Sequence, residues 1–202
     1  MLSAASRAAN FTNESGVDGR VRYLRNVMGL WLLSESMRTW DQAGSSYELS
    51  GLLAQAGAVS GPVTIFDVDD ARFLPPGDMP TRIREYCAEH GLRPPRTDVD
   101  LVRSIIESLA AAYAHTLRLA AELSGTRVSA VHIVGGGALN ELLCQLTANH
   151  TGLRVLAGPV EATAIGNVLV QARVQGLVTG SLESLRSLVA QTFAPRQYDP
   201  AA

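Results

Sequence analysis

Little in this chain ties it to a membrane or to nucleic acid. No apolar run reaches the roughly 18 residues needed to cross a bilayer. Met1 to Gly16 hold no continuous apolar stretch of the kind that directs secretion. The formal net charge is −2 over 202 residues, which gives no general attraction to phosphate backbones or anionic lipid. Aromatic residues make up 5 %, too few for a base-stacking platform. Cysteine is limited to Cys87 and Cys144, and Cys144 falls on an apolar helix face. Two buried thiols in a reducing cytoplasm fit that pattern better than a disulfide does.

Motifs are absent as well. There is no G-x-x-x-x-G-K-S/T and hence no P-loop, and no G-x-S-x-G to carry a nucleophile elbow. His90, His115, His132 and His150 show no metal-ligand spacing with one another or with the cysteines. His132 lies within an apolar run and reads as a core histidine. Asp67, Asp69 and Asp70 form a small acidic group that reads as an exposed loop rather than a Mg²⁺ site, since no oxygen-rich turn follows. No internal repeat or low-complexity tract is present.

What the chain does hold is a core-sized share of apolar residues, 47 %, in a length suited to one domain, or one domain and part of another. Its organising stretch is Val128 to Asn167. Val128, Val131, Ile133 and Val134 predict a buried strand, and Gly135, Gly136 and Gly137 follow it. Leu139, Leu142, Leu143 and Leu146 recur at helical spacing until Thr151-Gly152. Leu153 to Leu156 predicts a second strand, broken by Gly158-Pro159, and a further helix starts near Glu161. Strand, glycine turn, helix, strand and helix in series make a parallel α/β layer. A glycine turn there presents backbone N–H groups that suit phosphate. The dinucleotide fingerprint is incomplete: Asn140 stands where its third glycine belongs, and no ribose-binding acid follows Leu156. Glu161 suits either a helix cap or a place near a nucleotide.

Elsewhere the pattern predicts an irregular loop over 1–20 and one amphipathic helix over 21–40, with Asp18 before it as a cap and Gly29 inside it. That glycine suits either close approach of a backbone or ligand, or tolerated packing. Further helices are predicted over Tyr47–Ala56, from Asp78 to His90, over Val99–Leu123 and from Ser181 to Gln191. Val63–Phe66 predicts a short strand, and residues 193–202 a flexible tail.

Three segments carry a resemblance. NFTNESGVDGRVRYLRNVMGLWLLSES, DVDDARFLPPGDMPTRIREYC and VHIVGGGALNELLCQLTANHTGLRVLAGPVEATAIGN, in that order from about Ala9 to Asn167, resemble the C-terminal lobe of FGGY carbohydrate kinases. The resemblance implies an α/β fold of the actin-like, ribonuclease-H-like kind, with helices on a small mixed sheet. It implies a reaction in which ATP with Mg²⁺ phosphorylates a sugar hydroxyl. The nearest branch of the family acts on the 1-hydroxyl of L-rhamnulose or a related ketose. Carried over to this sequence, Gly136 contacts the nucleotide, Gly135 and Gly137 shape the turn, and Asn140 lies near the adenine. Asn26 contributes from the first helix, and Ser34 stands where the family usually has glutamine.

The family's catalytic base is an aspartate in an Asp-Thr pair of the other lobe. No Asp-Thr pair occurs here, so the resemblance assigns no catalytic residue and no metal ligand to this chain. The expectation is a C-terminal nucleotide-binding domain over 1–192 without its first strands, inactive by itself. The alternative is a non-catalytic nucleotide-binding or interaction module of the same superfamily.

Overall fold

A computed structural model describes residues 3–201. In chain order its elements are α1 (Ala4–Ala8), β1 (Thr12–Ser15), β2 (Val21–Leu24), α2 (Trp31–Gln42), α3 (Leu49–Gly57), α4 (Met79–Glu89) and α5 (Asp98–Ser124). They continue with β3 (Ala130–Ile133), α6 (Glu141–Thr151), β4 (Arg154–Ala157), α7 (Ala162–Val174), α8 (Leu182–Thr192) and β5 (Arg196–Tyr198). Short 3₁₀ turns cover Val17–Gly19, Ala71–Phe73 and Gly135–Leu139. The chain divides into two units. One takes the residues up to Asn26 and those from Leu117 onward, and the other takes Val27–Thr116.

The first unit contains both sheets. β1 and β2 pair antiparallel, Thr12 opposite Leu24 and Ser15 opposite Val21. The second sheet has the order β3-β4-β5, with β3 parallel to β4 and β5 antiparallel to β4. Side chains alternate across a strand, and one face of this sheet is apolar. Val131 and Ile133 of β3, Val155 and Ala157 of β4, and Tyr198 of β5 pack with Cys144 and Ala148 of α6. The other face carries the register-matched row His132, Leu156 and Gln197.

The second unit is helical. α2 packs on α4, and the apolar stripe of α5 buries Leu101, Ile105 and Leu109 completely. Phe66, Phe73 and Tyr86 form an aromatic cluster with centroids 5.4–6.2 Å apart. α4 starts where Asp78 accepts a hydrogen bond from the Thr81 N–H, and it ends before Gly91, whose φ of +67° is left-handed. At the head of α5, Thr97 and Asp100 cap one another reciprocally, side chain to backbone N–H.

Within α2, Glu35 is 2 % exposed and accepts from the Arg38 guanidinium and the Gly77 N–H. The Arg38 hydrogen bond, and then that of Gly77, lower its pKa to about 2. Each acidic side chain of the Asp67–Asp70 loop has a backbone donor. Asp67 accepts from Asp69 N–H, Asp69 from Met28 N–H, and Asp70 from Arg72 N–H.

Five expectations are corrected. Of the stretch 1–20 read as a loop, the described residues from 3 onward hold α1 and β1, and the first two lie outside the described residues. The helix predicted over 21–40 is a strand, a connection and the shorter α2, so Asp18 caps no helix and Gly29 precedes one. Val63–Phe66 is not a strand because nothing pairs with it; the Phe66 N–H bonds to the Ser108 hydroxyl instead. The stretch read as a loose tail forms β5, with Tyr198 buried. Finally, β3 is not fully buried. His132 is exposed on the face away from α6 and is not a core residue.

Candidate functional site at the glycine turn

β3 delivers the chain to the glycines, and two neighbouring elements hold the turn. The Gly158 N–H donates to Ile133 O at 2.8 Å, and the Gly135 N–H donates to Pro159 O at 3.4 Å. The ends of β3 and β4 are therefore pinned together at the point where both strands stop. Below the turn, Asn140 is 5 % exposed, and its Oδ1 accepts from the Leu143 N–H at 3.0 Å. That bond is the N-cap of α6, which closes at Gly152 with φ +67°. Cys144, fully buried one turn later, has its Sγ 3.7 Å from Gly137 O. Burial pushes that thiol up to about 11, so it stays protonated and unreactive near neutral pH.

The three glycines differ. Gly135 has φ +72°, a conformation that side chains rarely adopt. At Gly137 an added Cβ would make ordinary contact with Ile133 Cγ2 at 3.5 Å. At Gly136 the φ is not left-handed, and an added Cβ would meet nothing within 4 Å. Backbone conformation therefore demands glycine at Gly135, and neither conformation nor packing demands it at Gly136. Gly136 is exposed, and its N–H, at the start of the 3₁₀ turn, has no acceptor among the described residues. An exposed, unspent N–H donor in a turn free of side chains is what an anionic oxygen requires.

The other residues picked out by sequence lie as follows. Asn26 is exposed in the connection after β2, in the first unit. Ser34 is exposed on α2, in the second unit, with its N–H donating to Leu30 O at 2.9 Å. Gly135, Gly136, Gly137 and Asn140 form one continuous turn and cap. Asn140 spends its carbonyl oxygen on the cap. Glu161 occupies the N-cap position of α7 without a side-chain cap bond. Sequence reasoning missed a groove beside the turn, about 500 Å³, lined by His132, Gly158, Pro159, Arg186, Val189 and Phe193, among others. It arises from α8 and the start of the β5 segment, and no motif marks it.

The family profile described as "FGGY family of carbohydrate kinases, C-terminal domain" matches residues 1–174. A rhamnulokinase of Bacteroides thetaiotaomicron is 39 % identical over 200 residues, 99 % of this chain and 40 % of that protein. One from Pectobacterium carotovorum is 39 % identical over 200 residues, again 99 % of this chain and 39 % of the relative. One from Klebsiella pneumoniae is 42 % identical over 167 residues, 83 % of this chain and 33 % of the relative. The chain thus spans about two fifths of the length of the first of these relatives.

Proposed function

This chain belongs to the FGGY family of carbohydrate kinases, and on that premise we propose that its glycine turn holds the phosphates of ATP in a kinase acting on L-rhamnulose. The observation that carries the proposal is Gly136. Nothing in the fold requires glycine there, and its exposed N–H at the head of the turn has no acceptor among the described residues. The sugar is taken from the similarity to rhamnulokinases, and the product would carry phosphate on the 1-hydroxyl. The architecture would be actin-like, with nucleotide and sugar between two lobes and Mg²⁺ carried in with the nucleotide.

Phosphoryl transfer relies on positioning and on electrostatic stabilisation around the transferred group. In this reading Gly135 and Gly137 shape the turn and Gly136 donates to the nucleotide phosphates. Asn140 fixes the turn on α6 and would lie near the adenine. Asn26, in the same unit, would add a contact beyond the turn. The chain has no Asp-Thr pair, so the base that deprotonates the sugar hydroxyl would come from a separate stretch of polypeptide. By itself the chain would bind ATP weakly and transfer nothing.

A second reading is a non-catalytic nucleotide-binding or interaction module of the same superfamily. It draws on α7, an apolar helix with no buried residue, which suits a surface made for another polypeptide. Phosphorylation of L-rhamnulose when the chain is mixed with the first three fifths of a rhamnulokinase would rule that reading out.

Calorimetry with ATP–Mg²⁺ tests the main proposal. Gly136→Asp, which puts a carboxylate beside the donor, should abolish binding and leave the helical signal unchanged. Gly135→Ala should instead lower stability by about 1 kcal/mol, the cost of a side chain at left-handed φ. ATP affinity unaltered by Gly136→Asp would overturn the assignment.

A further inference from the structure

The second unit contains a groove of about 130 Å³ between the segment after α3, the loop before α5 and the first turns of α5. Its construction is independent of the glycine turn. Arg84 Nε donates to Pro95 O at 3.2 Å, and Thr64 Oγ1 donates to Arg93 O at 2.6 Å. Arg103 reaches Ala56 O and Gly57 O, each at 3.4 Å. Side chain to backbone bonds therefore hold all three walls.

The polar groups left over have one chemistry. Ser104 lines the groove and is 2 % exposed, yet its hydroxyl has no partner among the described residues. The other buried helix serines are satisfied: Ser36 donates to Leu32 O at 2.7 Å, and Ser108 accepts from Phe66 N–H at 3.0 Å. The Ser104 hydroxyl is not among the fully buried unpartnered groups, so it opens onto the groove and is free for a ligand. Arg93 and Arg96 also line the groove, and neither guanidinium has a protein partner among the described residues. Arg103 is neutralised by Glu107 at 2.9 Å. The lining carboxylate, Asp100, is turned to the Thr97 N–H at 3.1 Å. The surplus is positive and rich in fork-shaped donors, which match oxyanions bidentately. Pro62, Val63 and Pro94 supply apolar wall.

We infer that this groove binds a small organic oxyanion, a phosphate monoester or a carboxylate, through Arg93, Arg96 and the Ser104 hydroxyl. Its volume, about 130 Å³, suits a small anion.

Titration of the full chain with inorganic phosphate and, separately, with succinate tests the site by heteronuclear NMR. Saturable shifts confined to the Ser60–Thr64 and Arg93–Ser104 segments are expected with at least one of the two. Phosphate alone identifies a phosphate-ester site, succinate alone a carboxylate site, and both a general oxyanion site. The double variant R93A/R96A should weaken binding at least tenfold, whereas Arg118→Ala, an exposed arginine of the first unit, should not. Ser104→Ala removes a hydroxyl with no protein partner, so the fold should persist while affinity falls severalfold. Overturning results are no saturable shift with either anion, an equal loss with Arg118→Ala, or full affinity in Ser104→Ala.

Discussion

Glu35 is enclosed by the fold yet stays charged because two donors replace water. The Arg38 guanidinium and the Gly77 N–H both point at its carboxylate. Its folded pKa of about 2 lies below the ordinary 4.5, so the folded state holds the charged form. The sign follows from linkage: the stabilisation is complete above about pH 4.5 and is lost as pH falls toward 2. Chemical denaturation of the chain and of Glu35→Gln at pH 6 and pH 3 measures this. The chain should lose more stability on acidification than the variant. Equal losses would place the acid sensitivity on other carboxylates, such as Asp70 and Glu48, whose pKa values backbone and side-chain donors also lower.

At the scale of elements, β5 shows what three residues can do when the sequence gives no sign of them. Arg196, Gln197 and Tyr198 pair with Ala157, Leu156 and Val155, and Arg154 fastens the end of the strand to Asp199 at 2.7 Å. Tyr198 is 8 % exposed, and its buried hydroxyl has no partner among the described residues. Tyr198→Ala should therefore cost about 3 kcal/mol, as for a large aromatic removed from a core. Tyr198→Phe should be neutral or stabilising by about 1 kcal/mol, since it deletes an unsatisfied polar group. Urea midpoints separate the two, and a destabilising Tyr198→Phe would mean the hydroxyl has a partner after all.

The same contrast explains what was legible in the sequence. α4, α5 and α8 carry side-chain caps at Asp78, Thr97 and Ser181, and their starts can be read directly. α2 begins at Leu30 without a side-chain cap, so the helical spacing of Leu24, Val27 and Met28 draws the predicted helix back over β2. β2 and β5 exist through pairing, a tertiary fact invisible in four and three residues. The glycine turn was legible because strand, glycines and helix are contiguous. The capping role of Asn140 and the groove beside the turn were not, since one needs a hydrogen bond and the other needs α8.

For the molecule as a whole, α7 is the element whose composition and environment disagree. Apolar helix faces normally face a core, yet no residue of α7 is buried, and Val168 and Val174 are 66 % and 77 % exposed. Leu177 follows at 79 %. In the same unit β3 is an outermost strand of a parallel pair, a position usually covered on its free side. Covering one such side chain is worth about 1.5–3 kcal/mol, so a surface of this kind drives association. Light scattering across protein concentrations should show reversible self-association of the isolated chain. Val168→Glu with Leu177→Glu should abolish it and leave the unfolding midpoint within about 0.5 kcal/mol, as expected for exposed positions. In a full-length relative, charges at the matching positions should lower sugar phosphorylation if the same surface packs against the rest of the enzyme. A chain that stays monomeric at every concentration, with or without the charges, would mean that α7 is tolerated in water and is not an interface.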